Sequence, residues 1–300
     1  MGKTVSEVMD LIYKIGKTKI PMVMSTLGFT PLIGIMRHRI LTDGEGITTL
    51  VGFHQCTLRC KYCLNPQSLK TEGVWKWCTP KSLYREVKKD NLYFGHSKGG
   101  ICFGGGEPLL RSKFISEFKS ICNPTWLITV ETSLNLPFEY LLECYKVIDC
   151  FIIDIKDMND EIYQRYTGKS NRRVIENLKF LINEGLSDRI LVRVPLIPGY
   201  NNETDIAKSI QSLNSLGLYN IEQLTYVTKS DHKTSGDYKN DESGKDICRH
   251  LKNIRMEVAS IHNISYTPAV CTHKGPCLGT CPACEKEVEY IESRIHEYKY

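Results

Sequence analysis

Apolar, β-branched runs alternate along the chain with segments whose apolar residues recur at helical spacing. The strand-like runs are residues 48–53, 100–103, 126–131, 147–155, 189–197 and 221–227. The helix-like segments between them are residues 80–91, 112–122, 137–145, 172–184 and 203–216, and Thr79 before Pro80 is a predicted N-cap. This alternation predicts an α/β fold with a parallel sheet, and six units predict a partial (β/α)6 barrel.

Three segments lie outside this alternation. Residues 1–33 show no matching strand and are predicted to form an N-terminal extension before a core at 34–230. Residues 229–246 are polar, which is typical of an exposed loop, and a helix is predicted at 247–261, so 231–263 form a loop-and-helix segment. Residues 264–300 form a cysteine-rich C-terminal extension that ends in a charged, helix-like stretch at 285–300.

The composition narrows the function classes. The 300 residues are 41% hydrophobic and 24% charged, as in an ordinary globular protein. The net charge of +5 comes without a dense basic block, so no nucleic-acid partner is predicted. No apolar run is long enough for a membrane span, and the N-terminus lacks the apolar centre of a signal peptide, so a cytoplasmic location is predicted.

Thirteen cysteines are present, and a reducing compartment makes a disulfide framework an unsuitable explanation for them. Two groups stand out. HQCTLRCKYC holds Cys56, Cys60 and Cys63, and CTHKGPCLGTCPAC holds Cys271, Cys277, Cys281 and Cys284. The other six are predicted to be small buried hydrophobic residues: Cys78, Cys102, Cys122, Cys144, Cys150 and Cys248.

The first group has three thiols, whereas metal sites built from cysteine normally take four ligands. His54 could complete a zinc site. Alternatively, three thiolates could hold an iron–sulfur cube and leave one iron open to a small molecule.

Glycines and charged residues follow several predicted strands. GGGEP, which begins at Gly104, follows the strand at 100–103, while Glu131, Asp154 and Lys156 lie near the ends of two later strands. Residues at the carboxyl ends of parallel strands meet at one edge of the sheet, which is where barrel enzymes have their active sites. GGGEP alone would also suit a tight strand-to-helix turn.

CxxxCxxC followed by GGEP on a strand–helix repeat resembles the radical S-adenosylmethionine (SAM) superfamily. Four further stretches resemble its glycyl-radical-enzyme activating enzymes, of the pyruvate formate-lyase activating type. These are DGEGI from Asp43, CKYCLNPQS from Cys60, DIKDMNDEIYQRYTGKSN from Asp154 and VRVPLIPGYNN from Val192.

The resemblance implies a [4Fe–4S] cluster on Cys56, Cys60 and Cys63, with SAM on the open iron. It implies cofactor-binding roles for Tyr62 against the adenine, Gly105, Gly106 and Glu107 near the methionine amino group, Lys156 at the carboxylate and Arg193. Glu107 would either counter the amino charge or order the turn. Glu131 and Asp154 would hold a monovalent cation, although the family has aspartate in place of Glu131.

The resemblance also implies the reaction. SAM would be cleaved reductively to a 5′-deoxyadenosyl radical, which would take a hydrogen atom from a glycine of a glycyl radical enzyme. A flavodoxin- or ferredoxin-type protein would supply the electron, in an anaerobic setting. Where the family's sixth strand ends in LPYH, this chain has LTYV from Leu224 to Val227, so the substrate side differs.

The C-terminal cysteines have no counterpart in that resemblance. Cys277, Cys281 and Cys284 repeat the three-then-two spacing, and Cys271 can supply a fourth thiolate. An auxiliary [4Fe–4S] cluster is favoured there, with a zinc site as the alternative, to which His273 could contribute.

Three functions therefore compete. The first is a glycyl-radical-enzyme activase, and the second is a radical SAM enzyme that modifies another substrate such as a peptide. The third is a non-catalytic iron–sulfur or zinc protein, although GGGEP and the Asp154/Lys156 pair would then have no use.

Overall fold

The computed structural model of the chain describes residues 20–226, 241–271 and 281–297. Its strands are β1 (Thr30–Ile40), β2 (Ile47–Phe53), β3 (Lys76–Cys78), β4 (Gly100–Gly105), β5 (Leu127–Thr132), β6 (Cys150–Asp154), β7 (Ile190–Leu196) and β8 (Ile221–Thr225). They form one sheet in the order β3-β1-β2-β4-β5-β6-β7-β8. The six strands β2, β4, β5, β6, β7 and β8 are parallel, and β1 pairs antiparallel with β2 and β3.

One helix precedes β1, and the others connect the parallel strands or follow the last one. They are α1 (Ile20–Thr26), α2 (Pro80–Val87), α3 (Asn91–Ser97), α4 (Ser112–Ile121), α5 (Phe138–Cys144), α6 (Asp160–Thr167), α7 (Arg172–Asn183), α8 (Glu203–Ser215), α9 (Asp241–Ile261) and α10 (Pro282–Glu297). Thr79 caps α2 in a reciprocal capping box with Ser82, as its sequence position predicts. No helix in the described ranges combines the length and the apolar content needed to cross a membrane.

The predicted α/β fold is confirmed. Each of the six predicted runs overlaps one of the six parallel strands, in the predicted order. A mostly parallel sheet of this kind is consistent with a partial barrel, and the described sheet ends at β3 on one side and at β8 on the other.

Several elements differ from the sequence prediction, and β3, α1 and α3 were not predicted at all. β1 begins at Thr30, inside the predicted strandless extension, and its register with β2 shifts between Met36 and Arg39, where His38 has φ of 58°. The helix predicted over 80–91 ends at Val87 and gives way to a 3-10 turn at Lys88–Asp90. α6 was not predicted, and α9 begins at Asp241, so residues 241–246 are helical and not part of the predicted loop.

Two apolar cores hold these layers together. The larger one lies between the sheet and the helices that connect the parallel strands. The smaller one lies at the amino end of β2, where Ile47 packs with Leu92 and Tyr93 of α3 and with apolar residues of α9 and α10. The last two helices therefore cover the amino ends of the strands and leave the carboxyl ends to other groups.

Candidate active site

A cavity of about 470 Å³ lies at the carboxyl ends of the parallel strands, a volume within the usual range for small-molecule sites. Nine of the eleven residues that were predicted for the SAM and cluster site line it: Cys56, Cys60, Cys63, Gly105, Gly106, Glu131, Asp154, Lys156 and Arg193. Tyr62 and Glu107 lie behind its wall. The fold thus brings together side chains from five segments that are far apart in the sequence.

The cysteine loop is held in place by backbone hydrogen bonds. Arg59 N–H donates to Thr167 O at 2.9 Å and Lys61 N–H donates to Tyr166 O at 3.2 Å, which fixes the loop against the end of α6. Gln55 N–H donates to Ser68 O at 2.8 Å. All three thiols are half-buried, and burial together with the nearby charge of Glu107 raises the pKa of Cys56 to about 12.

Two buried hydroxyls make this loop suitable for an iron–sulfur cluster. Thr57 Oγ1 and Ser68 Oγ are buried and have no hydrogen-bond partner in the described part of the chain. Buried hydroxyls normally have a partner, so an added group with acceptor atoms, such as the sulfides of a cluster, would satisfy them.

His54, the residue that could have completed a zinc site, is hydrogen-bonded to the backbone through one ring nitrogen. Its Nε2 lies 2.7 Å from the carbonyl oxygen of Lys70. Within the described ranges, no three His, Cys, Asp or Glu side chains are spaced to hold a single metal ion.

Close backbone packing explains the glycines after β4. A Cβ on Gly106 would lie 2.0 Å from Gln55 O, and one on Gly105, whose φ is 89°, would lie 2.8 Å from Gly52 Cα. Only glycine lets this turn approach the cysteine loop so closely. Gly105 and Gly106 therefore contribute backbone, not side chain, to the cavity wall.

Glu107 orders the turn. Its side chain is buried, and it accepts hydrogen bonds from Thr132 Oγ1 at 2.6 Å, Ser133 Oγ at 2.7 Å, Ser133 N–H at 3.1 Å and Leu109 N–H at 3.3 Å. Burial raises the pKa of Glu107 despite these bonds. Of its two predicted roles, the contacts favour fixing the end of β4 to the end of β5.

Two ion pairs form the charged wall of the cavity. Lys156 Nζ donates to Asp154 Oδ2 at 2.8 Å, and Arg193 Nη1 donates to Glu131 Oε1 at 2.9 Å. Burial alone would lower the pKa of Lys156, but the charge of Asp154 raises it overall. Burial and the charge of Asp154 raise the pKa of Glu131 to about 7. Arg193 also donates to Glu222 at 2.8 Å, so its guanidinium lies between two carboxylates.

Tyr62 belongs to a cluster of tyrosines beside the cavity. Its ring packs edge-on against Tyr166 and Tyr200, with centroids 6.1 and 5.7 Å away, and its hydroxyl donates to Pro198 O. Tyr226 of the same cluster does reach the cavity wall, and Lys156 Nζ lies 5.6 Å from its ring centroid. Tyr226 was not predicted as a site residue, although it lies at the end of the sixth predicted strand, where site residues were expected.

Arg39 is a second lining residue that the sequence did not predict. It comes from β1, which has no counterpart among the predicted strands. Its guanidinium is paired with Asp43, the first residue of the DGEGI stretch.

The C-terminal cysteines lie elsewhere. Cys277 is outside the described residues, and Cys271 is exposed. Cys281 and Cys284 lie at the start of α10, where they pack with Cys248 of α9. Cys248 was predicted to be a buried hydrophobic residue, and it is buried, but its neighbours are thiols. Of the other five, four are buried as predicted and Cys150 is half-buried.

Comparison with known proteins agrees with this geometry. The radical SAM superfamily profile matches residues 50–210, which is more than half of the chain and includes the cysteine loop. Pyruvate formate-lyase 1-activating enzyme of Escherichia coli (strain K12) is 31% identical over 196 residues, covering 64% of this chain and 78% of that protein.

Two further relatives are also activating enzymes. Pyruvate formate-lyase-activating enzyme of Clostridium pasteurianum is 30% identical, over 63% of this chain and 79% of its own length. The (2S)-3-sulfopropanediol dehydratase activating enzyme of Klebsiella oxytoca is 30% identical, over 66% of this chain and 63% of its own length. The extent of the profile match and the identity to these relatives establish that this chain is an enzyme of the radical SAM superfamily.

Proposed function

We propose that this chain is an activase that generates a radical on a glycine of a partner enzyme. In this proposal Cys56, Cys60 and Cys63 hold a [4Fe–4S] cluster and SAM fills the cavity beside it. The observation that carries the proposal is the placement of three thiols at the wall of a cavity whose other residues include both cations and carboxylates.

The cluster and SAM, when bound, supply one-electron cleavage of a sulfonium carbon–sulfur bond, which yields methionine and a 5′-deoxyadenosyl radical. The residues of this chain bind and orient the cofactor. Lys156 offers a buried ammonium group to the methionine carboxylate, and the backbone of Gly105 and Gly106 receives the methionine end. Tyr226, with Tyr62 behind it, offers an apolar, aromatic surface to the adenine.

Glu131 and Asp154 are proposed to place negative charge beside the cofactor. Their mutual repulsion, which contributes to the raised pKa of Glu131, favours an added monovalent cation there. Arg193 neutralises part of this charge through its bond to Glu131 and holds β7 to β5 at the edge of the cavity.

The partner is proposed to be a glycyl radical enzyme because the three relatives above are named for activating other enzymes. A glycine Cα–H bond of the partner would supply the hydrogen atom, leaving 5′-deoxyadenosine and a backbone radical. A flavodoxin- or ferredoxin-type protein would supply the electron.

A second candidate is the modification of another substrate, such as a peptide. The observation in its favour is the LTYV stretch, in which Val227 stands at the position of the LPYH histidine and Tyr226 before it lines the cavity. In this second candidate the substrate side of the site differs from that of the activating enzymes.

The test is SAM cleavage by protein reconstituted anaerobically with iron and sulfide and reduced with dithionite. We expect 5′-deoxyadenosine from the unaltered protein and none above background from Cys60→Ala. Cys122→Ala is the matched control, because it removes a buried thiol at the end of α4, away from the cavity. A fully loaded and reduced protein that cleaves no SAM would overturn the proposal in favour of a non-catalytic metal protein.

The substrate is tested separately by adding a purified glycyl radical enzyme in one arm and a glycine-containing peptide in another. The activase proposal predicts an electron paramagnetic resonance signal from a glycyl radical in the protein arm alone. Cleavage that is coupled to the peptide instead would support the second candidate.

A further inference from the structure

Three thiols meet at the opposite end of the sheet from the candidate active site. Cys248 of α9 packs with Cys284 in the first turn of α10, and Cys281 packs against them. Cys248 and Cys284 are 7% and 6% exposed. Two helices that are separate in the sequence therefore direct thiols to one place.

A buried cation lies beside these thiols. Arg255 of α9 is fully buried, and its Nη2 lies 3.8 Å from Cys284 Sγ. The guanidinium also donates to Tyr93 Oη at 2.6 Å and to Glu287 at 3.0 Å, so the Arg255 side chain is fixed in this position. The Arg255 guanidinium therefore links the Cys284 thiol of α10 to α9 and to Tyr93 of α3.

We propose that Cys248, Cys281 and Cys284 form a zinc site that joins α9 to α10. Cys281 and Cys284 have the C-x2-C spacing of a zinc knuckle, and Cys248 brings the ligand from the second helix. A fourth ligand completes the tetrahedron that structural zinc prefers. The sequence suggested only the C-terminal cysteines as ligands there, and the packing of α9 adds Cys248 to them.

The position of the thiols favours zinc over an auxiliary iron–sulfur cluster. α9 and α10 pack at Ile47, the first residue of β2, whereas the cysteine loop of the active site follows Phe53, the last residue of that strand. The seven residues of β2 span about 20 Å, so the two cysteine groups lie at opposite ends of this strand. A metal centre so far from the cavity cannot touch SAM or its substrate, whereas a closed zinc site needs no such contact.

The lack of a preformed site for a single ion does not argue against the second cysteine group, because the first group lacks one as well. Neither group in the described ranges has three ligands already spaced for one ion. Cys248, Cys281 and Cys284 already pack together, and the proposed site requires their side chains to reorient around the ion.

The experiment measures iron, sulfide and zinc per chain in the anaerobically prepared holoprotein and in two single variants. We expect about one zinc and about four irons per chain in the unaltered protein and in Cys122→Ala. Cys248→Ala should lose at least 90% of the zinc and keep its iron. Cys122 is the matched control because it is 8% exposed, close to the value for Cys248.

A second measurement needs no variant, so it decides the matter if Cys248→Ala does not fold. Alkylation with iodoacetamide, read by peptide mass spectrometry, should label Cys248, Cys281 and Cys284 at least tenfold faster after a zinc chelator is added, and Cys122 at an unchanged rate. The proposal is overturned if Cys248→Ala retains its zinc, if the unaltered protein carries a second set of four irons in place of zinc, or if the chelator leaves all three labelling rates unchanged. None of these results depends on SAM cleavage, so they are separate from the test of the proposed function.

Discussion

The two groups of cysteines share a spacing but not a setting. Cys56, Cys60 and Cys63 lie on a loop at the carboxyl ends of the strands, half-buried, and face a cavity with a charged wall. Cys281 and Cys284 lie at the start of a helix at the amino ends, and their neighbours are Cys248 and the buried Arg255. The first setting leaves room for a small molecule beside the metal, and the second is closed by side chains of two helices.

This difference shows that cysteine spacing alone does not assign chemistry. Both groups contain CxxC after a third cysteine, yet only the first has a cavity lined by glycine backbone, an ammonium and carboxylates. The comparison predicts that changes at the carboxyl ends alter SAM binding, whereas changes at the amino ends alter the free energy of unfolding and leave SAM binding unchanged.

The largest effect is expected at the amino ends, for Asp90→Asn. Asp90 is fully buried and holds Arg37 at 2.6 Å, His38 at 2.9 Å and Thr49 at 2.7 Å. Asparagine would remove the buried charge that pairs with Arg37 and leave Arg37 only its more exposed pair with Glu285. Breaking a buried pair costs about 3–5 kcal/mol. Urea unfolding at pH 7 measures this loss. Glu86→Gln is the control, because its pair with Lys76 is half-exposed and should contribute less than about 1 kcal/mol.

The same variant has a signature in its pH dependence. Burial alone would raise the pKa of Asp90, but the bonds from His38 and Arg37 lower it overall. A lowered carboxyl pKa in the folded state stabilises the protein above the unfolded value of about 4, and this stabilisation is lost as the pH falls further. Asp90→Asn should therefore lose less stability than the unaltered protein below about pH 4. If both proteins lost the same stability below about pH 4, Asp90 would not have the lowered pKa on which this prediction depends.

Glu107→Gln should come next, at the carboxyl ends. The substitution keeps the shape, but an amide NH2 cannot accept the hydrogen bonds that one carboxylate oxygen now accepts. Leaving buried donors unsatisfied costs about 1–3 kcal/mol. Because Thr132 and Ser133 line the cavity, SAM binding should weaken as well. Calorimetry measures SAM binding and urea unfolding measures stability, and Glu117→Gln at an exposed position is the control. Loss of stability without weaker SAM binding would refute the role of Glu107 in positioning Thr132 and Ser133 at the cavity.

The carboxyl-end site was more predictable from the sequence than the amino-end one. The parallel strands are continuous apolar runs, and a site at their carboxyl ends is built from residues that directly follow those runs. β1 was missed because Arg37, His38 and Arg39 break its apolar pattern. Without β1, the network of Asp90 with Arg37 and His38 could not be predicted either. Cys248 looked isolated because its contact with Cys284 depends on how α9 and α10 pack, which no local pattern contains.

Lys156→Met should have the third-largest effect. It should weaken SAM binding more than it lowers the free energy of unfolding. Its ammonium bonds Asp154 at 2.8 Å at the cavity wall, and a charge-assisted hydrogen bond to the SAM carboxylate is worth about 1.5–2 kcal/mol. The dissociation constant for SAM should therefore rise about 10- to 30-fold. Equilibrium binding to the cluster-loaded protein measures this, with exposed Lys169→Met as the control. Unchanged SAM affinity at full iron loading would exclude Lys156 as the carboxylate ligand.

The smallest effect is expected for Glu285→Gln, which tests how α10 is held at the amino ends. Glu285 accepts from Arg37 at 2.7 Å and from Lys89 at 3.2 Å, but its side chain is 25% exposed, so its loss should cost at most about 1 kcal/mol. If zinc joins α10 to α9, the helix remains docked without this pair, and amide hydrogen exchange in α10 should quicken only slightly while zinc is bound. After chelation the ion pairs have a larger share in docking, so the same substitution should then accelerate exchange in α10 clearly more than in α4. An effect of equal size with and without the chelator would mean that bound metal does not help the thiols to hold α10. The closed metal site proposed at the amino ends of the strands would then be wrong.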